Sequence, residues 1–275
     1  MKHNKRLLFL VCGFLGGSCG ALFAVLAPVF GEDFLGLALH VAVWSGMAAS
    51  FMTGGLFAAG EVYHRKPFCF AVYHKGLVTG LLAGGLAGFV AQSVYSFSDH
   101  SNFFGAVVVR SLCWGLMGAI LGWRLSSVIP NLGTGRGVLA GALGGFFGGV
   151  SFLLMCLLLP ELMGRVIGLG ILGAALGLAV VAIEEAFRSA FLEIIWAPKE
   201  VTTVTLGSKP VYLGGGDDHI FVKGLPQHAL SVVLKDGQIH CTNHTNSSQS
   251  VLKEGSRIKV GKIEVVVRAK TTANV

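Results

Sequence analysis

Charge is scarce in this chain. Asp, Glu, Lys and Arg supply only 13% of its 275 residues, against 53% hydrophobic. Soluble domains run near a quarter charged, so most of this chain is not an ordinary water-soluble domain. Cysteine is equally uninformative as chemistry. The six present form no C-x-x-C pair, which argues against a disulfide frame or a zinc ribbon. No carboxylate falls in the middle of an apolar segment. Glu32, Asp33, Glu61, Asp99, Glu161 and Glu184 all sit at segment ends or in separators. Proton-coupled carriers and intramembrane proteases use such a group, so neither is favoured. No nucleophile–base pair and no metal-ligand spacing is legible either. An enzyme, a cofactor and a bound metal are therefore not expected. The net charge of +7 lies mostly in short separators and the C-terminal region, and nucleic acid is not an expected partner.

What the chain has is glycine, 40 residues of it, and a mean hydropathy of +0.71. The stretch from Lys75 to Gln92 sets the theme, with Gly76, Gly80, Gly84 and Gly88 at every fourth position. In water so much glycine weakens a helix. In a bilayer the same spacing makes a smooth face on which another helix packs closely. Six segments reach the roughly 20 apolar residues that span a hydrocarbon core. They lie near 7–30, 34–60, 74–96, 103–123, 135–159 and 162–183. The first, headed by Lys5 and Arg6, reads as an uncleaved helix rather than a signal peptide.

Basic residues cluster in alternate separators. Lys2, Lys5 and Arg6, then Arg65, Lys66 and Lys75, then Arg124 and Arg136 fall on one side, while Glu32, Asp33, Asp99 and Glu161 fall on the other. The bias of short loops places both termini in the cytoplasm. The segments also echo one another. Lys75-Gly-Leu-Val-Thr-Gly is repeated as Arg136-Gly-Val-Leu-Ala-Gly, Arg110 heads a run like the one after Arg165, and Trp44 matches Trp114. The expected architecture is a six-helix membrane bundle of three repeated hairpins over residues 1–188, followed by an all-β domain over 189–275. In that tail, short β-rich runs alternate with turn signals such as Lys235-Asp-Gly and Lys253-Glu-Gly, as in a β-sandwich.

Three ionisable residues occupy equivalent places on the even-numbered segments: His40, Arg110 and Arg165. Converging, they would bind an anion and line a solute path. The alternative is that the arginines snorkel to phosphate headgroups and His40 is satisfied locally. Glu184 and Glu185 read as a solvated helix end.

The tail carries Val211-Tyr-Leu-Gly214, Asp218-His-Ile220, His228-Ala229 and Leu252-Lys-Glu-Gly-Ser-Arg-Ile-Lys-Val-Gly261. On these residues it resembles a forkhead-associated (FHA) domain, an eleven-stranded β-sandwich that reads phosphothreonine through loops at one end. The resemblance implies loop roles for Gly214 and Gly215 and a fold-supporting role for His228. The family's phosphate-contacting arginine is Gly215 here, and its serine is Leu225. Phosphothreonine binding is therefore expected to be lost, with Lys209 and Lys223 as substitute cations to test. A glycine-rich multi-span region joined to such a tail resembles bacterial inner-membrane proteins of the same layout. That layout implies a membrane-anchored scaffold with a cytoplasmic protein partner and, from its glycine faces, self-association as a homo-oligomer. An anion or small-solute channel regulated by the tail is the alternative.

Overall fold

In the computed structural model, residues 4–67, 69–97, 103–127, 129–198 and 200–269 are described. Six helices come first: α1 Lys5–Ala24, α2 Phe34–Tyr63, α3 Phe70–Phe97, α4 Phe103–Leu125, α5 Thr134–Leu158 and α6 Glu161–Ala186. All six are long and apolar enough to cross a membrane. Local chemistry sets their ends. Asn4 caps α1 by accepting the Arg6 N–H, and Asp33 caps α2 by accepting the Gly36 N–H. α1 stops at Ala24, six residues before the apolar run does. Pro28 has no N–H and disfavours helix at Ala27, so the chain turns at Phe23–Ala27 instead.

Each helix packs on its sequence neighbours, and α6 returns to α1, closing a ring. The pair α3–α4 makes the least extensive of these contacts. That unequal seam departs from the three like hairpins expected from the repeats. Glycine sets the spacing elsewhere. Gly76, Gly80, Gly84 and Gly88 are all buried, and a Cβ at any of them would meet α2, for example Ser50 Cα at 2.7 Å from Gly80. Gly118 faces Gly141, Gly122 faces Gly137 and Gly13 faces Gly173, each pair in backbone contact. Met52, Leu56, Leu121, Leu125, Leu172 and Leu176 are at most 1% exposed and fill the bundle between its two ends.

After α6 the described residues form nine strands: β1 Ala190–Ala197, β2 Glu200–Leu206, β3 Val211–Gly214, β4 Ile220–Phe221, β5 Leu230–Lys235, β6 Gln238–Asn243, β7 Ser248–Leu252, β8 Arg257–Val260 and β9 Ile263–Ala269. They form two sheets, ordered β2-β1-β9-β8 and β4-β3-β5-β6-β7. Leu192, Ile194, Val265 and Val267 from one sheet share a core with Leu213, Val232 and Cys241 from the other. β7 was not anticipated. Its Ser-Gln-Ser start has no apolar alternation, and only its hydrogen bonding to β6 makes it a strand.

The β-domain docks against the bundle along its edge strand β2. Thr203 N–H donates to Tyr63 Oη at 2.8 Å, Asn131 Nδ2 donates to Thr205 O at 3.2 Å, and Arg65 pairs with Glu200 while lying 4.7 Å over the Trp196 ring. At the centre is Glu184, which is 3% exposed. The solvated helix end expected there is thus corrected. Glu184 takes Lys5 Nζ at 2.5 Å on one oxygen, and Arg188 at 3.4 Å and the Thr205 hydroxyl at 2.8 Å on the other. Only Glu185, paired with the exposed Arg6, sits at the surface. Burial explains the partners, because a lone carboxylate here would be far too costly.

His64, just past α2, is buried in the same junction, its ring against Tyr63. Burial first, then the charges of Lys5, Lys66 and His219, hold its pKa well below the usual 6.5. An unfolded histidine takes up a proton as pH falls through about 6.5, whereas folded His64 does not. Stability present above that pH is therefore lost as pH falls below it. Thermal unfolding of the full-length protein in detergent should show a midpoint that drops from pH 7.5 to 5.5. His64→Phe should flatten that slope; an unchanged slope contradicts this assignment.

Candidate functional site

Call the end of the bundle that carries the β-domain proximal and the other end distal. His40 lies six residues into α2, Arg110 seven into α4 and Arg165 four into α6. All three helices start at the distal end, so all three residues sit one to two turns in. They line a single cavity of about 580 Å³. It occupies the seam where α3 and α4 part, with Gln92 and Tyr95 on its α3 wall.

Each basic residue also has a partner. Arg110 Nη2 donates to Tyr95 Oη at 2.9 Å, and its guanidinium lies 4.5 Å over the Tyr95 ring. Arg165 pairs with Glu161 at 2.6 Å, and His40 Nδ1 is 2.9 Å from Pro28 O. One turn deeper the lining becomes aromatic. Trp44, Trp114 and Phe152 meet with centroids 5.1–6.4 Å apart. Trp114 is held there because Gly149 leaves room for its ring, with its Cβ site only 2.6 Å from Trp114 Cβ. The cavity therefore pairs a cationic mouth with an apolar floor, which suits an anion or an anionic amphiphile. The packed leucines and Met52 lie beyond that floor.

Tyr95 was not singled out from the sequence. It lies two residues before the end of α3, whereas Arg110 lies seven into α4, so counting outward from the connection does not pair them, and the long arginine side chain spans the offset.

In the β-domain, the loop from Val222 to Ala229 lies over Gly214 and Gly215. Gly215 N–H donates to Pro226 O at 3.0 Å, and a Cβ at Gly214 would meet Ala229 N at 2.9 Å. At Gly215 a Cβ would collide with Leu225 O. No side chain fits where the FHA resemblance asks for an arginine. Next to it, Asp218 is buried and its Oδ2 accepts the His228 N–H at 2.7 Å. His228 Nδ1 also lies 2.6 Å from Asp218 Oδ1, without hydrogen-bond alignment. His228 holds φ at 54°, and its ring is 4.3 Å from that of Tyr212. It braces a turn. Lys223 is exposed in the β4–β5 turn, whereas Lys209 is at the bundle junction, its backbone tied to Asn131 at 3.2 Å. Lys209 lines the cavity at that junction, on a different turn from Lys223.

Among the described residues, no three His, Cys, Asp or Glu side chains are grouped to hold a metal ion. Comparison of the chain with protein-family models, with curated proteins and with solved structures finds no match.

Proposed function

We propose that this is an integral membrane scaffold, both termini cytoplasmic, whose FHA-like β-domain is held rigidly beneath the bilayer to capture a protein partner through strand pairing and not through phosphothreonine. The observation that carries this reading is the state of the four sheet edges. β2 is covered by the bundle, β4 is two residues long, and β8 carries Arg257 and Lys259. Such edges resist unwanted pairing. β7 is different. It is five residues long, bears no charge or proline, is bonded on one side to β6 and leaves Val251 55% exposed. An extended segment of a partner would add there.

The closed surface at Gly215 supports the negative half. Phosphothreonine peptides should bind the full-length protein no better than their unphosphorylated forms, by fluorescence anisotropy. For the positive half, photo-crosslinking from Gln249 in living cells should yield a discrete protein adduct, and Gln249→Lys with Val251→Lys should abolish partner association. Adducts that survive the lysine pair, or none at all, would sink the strand-pairing reading.

The distal cavity favours a second reading, binding of an anion or small anionic solute by Arg110 and Arg165 with His40 beside them. Reconstituted Arg110→Ala and Arg165→Ala variants that insert normally should lose anion flux or retention. If both behave as the parent protein, this second reading fails.

A further inference from the structure

A second cavity, about 880 Å³, lies at the proximal end, walled by the α2–α3 and α4–α5 connections, the start of α3 and the β2–β3 turn. Four cations line it: Lys66, Lys75, Arg136 and Lys209. Lys66 is taken up by Glu61 at 3.4 Å. Among the described residues the other three have no carboxylate partner, and Asp217 is the remaining acid in the lining. Three cations against one acid leave an excess of two positive charges facing one space, three segments supplying them. A cleft lined by one sign of charge concentrates ions of the other sign.

Arg136 is already positioned. Its Nη1 donates to Phe187 O at 3.4 Å and its guanidinium stacks 5.0 Å over the Phe187 ring. Ser126, Ser127 and Thr134 join the lining, the two serine hydroxyls donating to Trp123 O and Arg124 O. α5 opens into the cavity without a side-chain cap, and nothing stands within 4 Å of a Cβ built at Gly133 or Gly135. Its first N–H groups therefore add donors to a site the cations already define. The cavity sits at the start of β3, away from the closed Gly214–Gly215 end.

We propose that this junction cavity binds a phosphate-bearing ligand, either a lipid phosphate headgroup or a soluble phosphate ester, held by Lys75, Arg136, Lys209 and the α5 N-terminus. Occupancy would bridge the bundle to the β-domain. Lys75, five residues into α3, and Arg136, two into α5, open the two runs that echo each other in sequence, and this shared cavity gives that echo a chemical use. The proposal stands apart from strand pairing at β7: the Gln249→Lys, Val251→Lys protein should bind phosphate as the parent does.

The test is a thermal-unfolding titration of the full-length protein in neutral detergent with two probes, dioctanoyl phosphatidic acid and inorganic pyrophosphate. A saturable rise in midpoint with at least one probe is expected. A rise with phosphatidic acid alone assigns a headgroup site, and a rise with pyrophosphate alone a soluble ligand. Lys75→Gln with Lys209→Gln should weaken the apparent affinity about a hundredfold, about tenfold for each lost charge-assisted contact. The control pair Lys253→Gln with Lys259→Gln, equal in charge but outside the cavity, should change it less than about twofold. Gly135→Asp supplies an independent check, since an acid at the α5 N-terminus should raise the ligand-free midpoint while abolishing the ligand-induced rise. No saturable rise with either probe, or equal weakening by the two lysine pairs, would overturn the proposal.

Discussion

Glu184→Ala should cost the full-length protein about 3–5 kcal/mol, the usual penalty for breaking a buried ion pair from one side. The carboxylate is 3% exposed and is the shared partner of Lys5, Arg188 and Thr205. Its removal strands Lys5, itself 6% exposed, and leaves Arg188 among the described residues with the Thr205 hydroxyl and the Phe191 ring. Against a total stability of roughly 5–15 kcal/mol this is a large fraction. The effect should also be local. Glu184 joins α1, α6 and β2, so its loss should loosen the β-domain before it unfolds the bundle. Limited trypsin digestion in detergent reads this directly: cleavage after Arg188 should be slow in the parent protein and fast in the variant. Equal cleavage rates would show that the junction does not depend on Glu184.

The second large effect belongs to the α4–α5 contact. Gly118 and Gly141 face each other so closely that a Cβ on either would fall well inside 3 Å of the other's carbonyl oxygen. That atom is backbone and cannot rotate away. Gly118→Val or Gly141→Val should therefore push the helices apart, at a cost of about 1–3 kcal/mol or more each. Most of that cost would appear in either single variant, because one displacement relieves both clashes. Gly135→Ala is the contrast. Nothing lies within 4 Å of its Cβ site, so it should be neutral or stabilising by up to about 1 kcal/mol through helix propensity. Unfolding midpoints in a single detergent separate the two cases. If Gly141→Val unfolds like Gly135→Ala, close helix packing is not what the glycines provide.

These cases also mark how far the sequence can be read. The four-residue glycine period from Gly76 to Gly88 identifies the face that meets α2, because small-residue spacing and backbone approach are the same physical fact. The three basic positions could be aligned by repeat, and His40, Arg110 and Arg165 do share one cavity. Glu161 is the i−4 neighbour of Arg165 on α6 and follows from spacing, whereas Tyr95 depends on how α3 lies beside α4, which hydropathy does not encode. Glu184 misled because a carboxylate at a helix end is ordinarily solvated. Packing of Lys5 from α1 and of β2, more than fifteen residues downstream, buries it. β7 escaped because an exposed polar strand is defined by its neighbour alone. The end of α1 was legible in Pro28 but was outweighed by the length of the apolar run. The sheet order and the closed Gly215 surface depend on contacts between distant strands and turns, which no local pattern carries.

The central claim is that the six helices cross a bilayer with the β-domain fixed on its cytoplasmic side. Protease treatment of intact spheroplasts, followed with an antibody to the 189–275 region, tests it most directly. The region should stay full length until the membrane is permeabilised and be degraded afterwards. Loss of the region from intact spheroplasts would contradict the topology and the function drawn from it.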